Sequence, residues 1–193
     1  VLGDPTAILR GPYRVMVVNK SVESFDDIKN VKLRMHPNKL AHAIWTHLGA
    51  DVRTLAWTDV YQSIDKGIVD AVNSPIALVE SMRFHEVAPR VVRHDEYYQS
   101  IGFMVNTKAY NALPADQKAA VDKAYAEAGA YSVQVMNESA DKSIARMKKA
   151  GVTFLDVDRG PFVKSMASFY QDLASKNELP KGFLEAVEST RKK

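Results

Sequence analysis

An α/β fold is what this sequence predicts, and three observations predict it. Through the first half, short β-branched or apolar runs alternate with short helical patterns at close intervals. That alternation is the signature of layered sheets and helices with partly parallel pairing. In the second half one helical pattern runs from about Pro114 to Ala150. The chain has 193 residues, 46% hydrophobic and 25% charged, which is ordinary for globular protein and enough for one or two domains with a core.

The elements follow in order. Tyr13-Arg14-Val15-Met16-Val17-Val18 reads as a strand, being short, β-branched and aromatic. Ser24 is placed to cap a short helix or turn, with Asp26 and Asp27 in its first turn. Val31 to Met35 is the next strand, stopped by Pro37, and a helix from Asn38 to Leu48 closes at Gly49. Val52 to Leu55 reads as a strand, and Thr58 to Gly67 as a helix capped by Thr58. Ile68-Val69-Asp70-Ala71-Val72 reads as a buried strand, Ile76 to Phe84 as a helix, and Ser100 to Val105 as a strand. Pro114 suits the first position of the long helix and Gly151 its C-terminal stop. A helix of that length spans roughly 55 Å at 1.5 Å per residue. It must cross a domain boundary, bend, or break, with Gly129 the candidate point. Val152 to Leu155 reads as a strand and Pro161 to Lys176 as an amphipathic helix, with Leu179-Pro180 breaking it before a short tail helix.

Composition removes several functions. There is no cysteine, so disulfides, thiolate catalysis and cysteine-ligated metals are excluded. The net charge is +3 with acids and bases mixed along the chain, and the one basic run is Arg191-Lys192-Lys193. A nucleic-acid binder concentrates its base on one stripe, so no nucleic-acid partner is expected. No apolar stretch reaches the roughly 18 residues of a membrane span, and no membrane insertion is expected. The opening Val1-Leu2-Gly3-Asp4-Pro5 lacks a basic and apolar leader pattern, as in a chain whose signal has been removed or in a fragment. The five histidines, His36, His42, His47, His85 and His94, include no pair at metalloprotease spacing. No metal site is expected, no cofactor, and no catalytic residue. Phosphate-cradling and nucleophile-elbow motifs are absent as well. Asp26/Asp27 and Asp156/Asp158 read as cap and turn residues.

Two arginines stand out. Arg14 and Arg34 each sit inside an apolar strand, and alternation puts Arg34 on the face opposite Leu33 and Met35. A guanidinium so placed needs an acidic partner or an anion. Either these are solvated arginines on edge strands, or they clamp a carboxylate with the fork that matches its two oxygens. Trp57, Tyr61, Tyr97 and Tyr98 either line a pocket or fill core. Trp57 stands between a strand's C-terminal end and a helix start, where open α/β sheets place ligands.

The run Val31-Lys32-Leu33-Arg34-Met35, then Leu48-Gly49-Ala50, then Asp59-Val60-Tyr61 through Gly67-Ile68-Val69-Asp70-Ala71 resembles the solute-binding subunits of TRAP transporters (tripartite ATP-independent periplasmic transporters, dicarboxylate-binding type). Phe84-His85-Glu86-Val87, Met104-Val105-Asn106, Leu113-Pro114 and Gly151-Val152 agree in order and spacing, so the resemblance covers residues 10 to 175. In that family the arginine of the lysine–hydrophobic–arginine strand pairs with the ligand carboxylate. That position is Arg34, and Arg14 matches a second arginine one strand earlier. Trp57 matches an aromatic that packs on the ligand. Ser74, with Asn73 adjacent, matches a polar contact. Ala71 and Ser74 replace a common glycine and asparagine, which leaves the ligand's identity open.

The resemblance implies a two-lobe periplasmic binding protein with a long helix shared by both lobes and the first lobe incomplete here. Residues 1–99 would be mostly the second lobe, and 100–139 a return to the first that includes the start of the long helix. Residues 140–166 would add to the second lobe, and 167–193 would lie as C-terminal helices on the first. It implies a periplasmic, non-enzymatic protein that captures a small organic acid and hands it to membrane permease subunits. A ligand-sensing domain of a receptor, or an α/β enzyme acting on a carboxylate, are the alternatives.

Overall fold

The computed structural model describes residues 8–9, 12, 14–97 and 99–191. Tyr13, Tyr98 and the end of the basic run, Lys192-Lys193, lie outside the described residues, as does the opening five-residue segment. Among the described residues eight strands form: β1 (Ile8–Leu9), β2 (Arg14–Val18), β3 (Lys32–Met35), β4 (Asp51–Thr54), β5 (Ala71–Pro75), β6 (Arg90–Arg93), β7 (Ser100–Ile101) and β8 (Thr153–Asp156). The helices are α1 (Lys39–His47), α2 (Val60–Asp65), α3 (Ile76–Ser81), α4 (Phe84–Val87), α5 (Thr107–Asn111), α6 (Ala115–Lys149), α7 (Gly160–Ser175) and α8 (Phe183–Arg191).

Six strands make one sheet in the order β4-β3-β5-β2-β6-β8, while β1 and β7 pair separately. In the large sheet β2 alone runs antiparallel to its neighbours. The C-terminal ends of β3, β5 and β6 therefore share one edge with the start of β2. The sheet is covered on both faces. Val15, Val17, Val72 and Val91 pack on one side with Val60, Ile64, Val79, Phe84 and Met147 from α2, α3, α4 and α6. Met16, Val18, Leu33, Met35 and Val92 pack on the other with Trp45 of α1 and Phe162 and Met166 of α7. Burial on both faces is why these strands read as continuous apolar runs rather than alternating ones.

Several expectations shift. Ser24 is not a helix cap: a single 3-10 turn forms at Asp26–Ile28, and the Asp27 carboxylate accepts from the Ser24 amide and hydroxyl and the Glu23 amide. Thr58 is not a cap either, because a 3-10 turn at Trp57–Asp59 leads into α2. Strand β5 starts three residues later than its apolar run. Ile68 is exposed, and Asp70 turns inward to accept from the Lys32 amide and Lys20 Nζ. The helix expected to reach Phe84 divides into α3 and α4 at Arg83, whose φ is 59°. β6 lies where no element was expected, and the strand expected to reach Val105 ends at Ile101.

Gly49 closes α1 with φ 95°, and a Cβ there would lie 3.1 Å from Lys29 Cγ. Asn38 caps the same helix by accepting from the Ala41 amide. α6 runs unbroken through Gly129 for 35 residues, about 52 Å. It contains no proline, and it touches both α3 and β1.

Candidate functional site

Both strand arginines are buried and central. Arg34 is 5% exposed on β3, between β4 and β5; Arg14 is 7% exposed on β2, between β5 and β6. The reading as solvated edge arginines is therefore wrong. Strand alternation sends Arg34 to the α2–α3 face, with Leu33 and Met35 packed on the other. Its Nε and Nη2 donate to the Leu55 carbonyl at 3.1 and 2.9 Å, and its guanidinium lies 5.2 Å from the Trp57 ring centroid. Trp57 is itself held edge-on against Phe84, 5.1 Å away. Among the described residues Arg34 meets no carboxylate. Burial, with repulsion from Arg14, lowers its pKa from the ordinary value.

Arg14 projects to the opposite face and meets several acceptors. Nη1 donates to Gln99 Oε1 at 2.7 Å, Nη2 to the Asn73 carbonyl at 2.5 Å, and Nε lies 3.8 Å from Glu96 Oε2. The guanidinium also sits 5.6 Å from the Tyr97 ring. Glu96 accepts from Trp45 Nε1 at 3.1 Å, and burial pushes its carboxyl up against the opposing pull of Arg14. His94 stacks edge-on to Trp45 at 5.3 Å, and burial, helped by Arg14, holds it down at about 3. It is therefore a neutral imidazole at any physiological pH.

These groups line a cavity of about 870 Å³ that opens at the strand edge, with Arg14, Asn73, His94 and Glu96 at its floor and Ile44, Phe162 and Tyr170 among its walls. Asn73 Oδ1 and Nδ2 and His94 Nε2 are buried there without hydrogen-bond partners among the described residues. A buried amide with neither group satisfied is unusual.

Of the five residues singled out from sequence, the structure thus makes two pairs. Arg34 and Trp57 stand together on one face, and Arg14 and Asn73 on the other. Ser74 is fully buried, on the Arg34 face, and its hydroxyl donates to the Pro75 carbonyl at 3.2 Å. Sequence reasoning missed Glu96 and His94. They lie in a polar run after β6 that carries no periodicity, and only the β2–β6 pairing brings them beside Arg14. Among the described residues no cluster of three or more metal-ligating side chains forms, and no helix is long and apolar enough to cross a membrane.

The fold is thus a covered mixed α/β sheet with a buried cation, Arg34, that meets no carboxylate among the described residues, beside a second small sheet of β1 and β7. Residues 10–177 match the bacterial extracellular solute-binding protein family 7, the DctP family, and the chain belongs to it. It is similar to the C4-dicarboxylate-binding periplasmic protein DctP of Rhodobacter capsulatus, 28% identical over 141 residues, 73% of this chain and 42% of that protein. It is also similar to the 2,3-diketo-L-gulonate-binding periplasmic protein YiaO of Escherichia coli, 27% identical over 168 residues, 86% of this chain and 51% of that one. A TRAP periplasmic solute-binding protein from Roseobacter denitrificans with bound β-D-glucuronate superposes with a TM-score of 0.82 at 24% identity, over 90% of this chain and 58% of that one. Another from the same species, with bound L-galactonate, gives 0.73 at 27% identity over 82% and 52%. The chain spans about half the length of the curated relatives it matches. The two-lobe binding-protein fold is thus shown, and these relatives are named as solute-binding proteins, not as enzymes or receptors.

Proposed function

We propose that this chain works in the periplasm as the capture subunit of a TRAP transporter, binding a small organic carboxylate without transforming it. Arg34 forms the salt bridge to the ligand carboxylate, and Trp57 packs on the ligand's apolar body. Arg14, Asn73 and Ser74 complete the surroundings, and the loaded protein docks on membrane permease subunits. The observation that carries the reading is Arg34. A buried guanidinium with no acidic partner among the described residues is costly unless an anion arrives, and Leu55 already fixes its fork for one. The relatives support the ligand class: proteins of this family hold glucuronate, galactonate and diketogulonate.

Calorimetric titration of the protein at its natural length against a panel of small organic acids tests the reading. Leaving one partner of a buried charge pair alone costs roughly 2–5 kcal/mol. Arg34→Ala is therefore expected to weaken binding by about thirty- to several-thousandfold, and Arg34→Lys to recover only part, because an ammonium lacks the fork. Undiminished affinity in Arg34→Ala would overturn the assignment.

A further inference from the structure

Arg34 and Arg14 point to opposite faces of the sheet, yet one titratable side chain feels both. His36 is the first residue past β3, two after Arg34, and it lines the cavity together with Arg14. Its ring is partly buried and makes no hydrogen bond to the described residues. Burial first, then repulsion from Arg14, Arg34 and His42, holds it below the ordinary 6.5. Near pH 7 the ring is therefore neutral, kept so in part by the two guanidinia.

No other group at the edge offsets that repulsion. The acids lining the same cavity are Asp95, Glu96 and Glu188. Asp95 pairs with Arg159 at 2.8 Å, and Glu96 lies 3.8 Å from Arg14 and accepts from Trp45. None of the three pulls on His36. His94 is held neutral at about 3, and His42 Nε2 lies 2.8 Å from Thr54 Oγ1. Burial raises the phenols of Tyr97 and Tyr170 above 10, so both are uncharged in the same range.

A carboxylate seated on Arg34 neutralises one of the two guanidinia and brings an anion beside the ring. An opposite charge within about 4–6 Å favours the protonated imidazole by about tenfold or more. The proton comes from solvent and goes to the unprotonated ring nitrogen, and no bond of the ligand changes. The imidazolium then donates from both nitrogens, where the neutral ring donates from one. A group whose pKa rises on binding makes binding tighter as the pH falls through that pKa. Resting on carboxylate capture by Arg34, we infer that His36 is a further ligand-facing residue, which takes up a proton as the carboxylate arrives and makes the protein a tighter binder in mildly acidic than in neutral medium.

Calorimetry reads that proton directly. D-glucuronate, D-gluconate and L-galactonate are titrated into the protein at its natural length at pH 6 in MES and in Bis-Tris, two buffers of different ionisation enthalpy, and then at pH 8 and pH 5.5. The carboxyl groups of these acids are ionised throughout, so the ligand itself contributes no proton. The heats are expected to differ between buffers in the sense of proton uptake, and affinity to tighten about three- to tenfold from pH 8 to pH 5.5. In His36→Gln, whose fold is checked by its melting curve, the uptake is expected to vanish and the gain to fall below about twofold. Binding to the wild type without proton uptake would overturn the inference and leave carboxylate capture intact. Uptake that persists in His36→Gln would overturn it as well and assign the proton to Glu96, whose carboxyl burial already pushes up. His36→Asn replaces the glutamine variant if that one does not fold. No binding by any acid of the panel above, these three included, would overturn the proposed function, and this inference with it.

Discussion

Arg34 and Arg14 are the same residue type in two apolar strands of one sheet, with β5 between them, yet their surroundings give them different work. What separates them is a carboxylate: Arg14 has Glu96, and Arg34 has only the Leu55 carbonyl and the Trp57 face. A cation over an indole in a partly desolvated site is worth about 1–2 kcal/mol. Trp57→Ala should therefore weaken ligand binding by roughly tenfold through the loss of both packing and guanidinium positioning, while Trp57→Phe should lose less. Calorimetry on the two variants checks it; equal losses would make the contact mere space-filling. His94 makes a prediction about pH. Its pKa falls from 6.5 to about 3 on folding, so between those values the unfolded chain binds the extra proton. The stability this confers is complete above pH 6.5 and declines as the pH drops below it. Over one step, from pH 7.5 to 5.5, it amounts to about 1.4 kcal/mol. The wild-type melting temperature should fall by about 2–4 °C more than that of His94→Asn over this step. Glu96, whose pKa is raised, acts in the opposite sense in both proteins and cancels from the comparison. Equal falls would show that His94 is not held neutral.

At the scale of elements, α6 owes its position to a clamp as much as to apolar packing. Glu80 on α3 accepts from Ser143 Oγ at 2.6 Å, from Arg146 Nη2 at 2.6 Å, and from Arg146 Nε. Arg146, and Ser143 after it, hold the Glu80 carboxyl down at about 2 from 4.5. A group lowered in this way stabilises the fold above pH 4.5 and loses that effect as the pH falls towards 2. Glu80 is largely covered but Arg146 is 59% exposed, so screening reduces the worth of the pair. Glu80→Gln should cost about 1–2 kcal/mol at pH 7 and little at pH 2.5. Urea melts at the two pH values check this, and a cost that persists in acid would mean that the lost interaction is not ionic. The arrest of α3 at Arg83 belongs to the same scale. A left-handed residue ends one helix so that α4 can lay Phe84 into the core against Trp57.

The whole molecule is lopsided. The large sheet is covered on both faces, whereas Phe103, Met104, Val105 and Tyr131 on the β7–α6 side are exposed at 56, 85, 41 and 68%. Exposure of several large apolar side chains together marks a surface that something covers. Our partition assigns residues 100–139 to a first lobe, for which that surface would be core, and α6 would then be the strut common to both lobes. The expected boundaries at 139/140 and 166/167 fall within α6 and α7, so the lobes would be joined by continuous helices rather than by linkers. In the protein at its natural length, backbone amides of residues 101–105 should exchange hydrogen slowly, as core strands do. Exchange as fast as that of an open loop would refute the partition.

Sequence alone fixed the class of fold, because the alternation of short strands with short helices, and one proline-free run of 35 residues, admit few arrangements. It also singled out Trp57, which stands at a strand–helix junction where ligands collect, and Arg34, a guanidinium inside an apolar strand that the family resemblance matched to a carboxylate contact. Helix stops such as Gly49 were legible because left-handed geometry favours a residue without Cβ. Ser24 and Thr58 misled, since a capping residue type is needed for a cap but does not make one. β5 was misplaced because Ile68 and Val69 are apolar, and only the Asp70 contacts to Lys20 and the Lys32 amide show the strand starting after them. The charge balance at the edge was invisible in one dimension. Glu96 stands 82 positions from Arg14 and reaches it only because β2 pairs with β6, with Met16 opposite Val92. Which arginine is free is a property of strand order, and strand order is set by tertiary packing, not by local pattern.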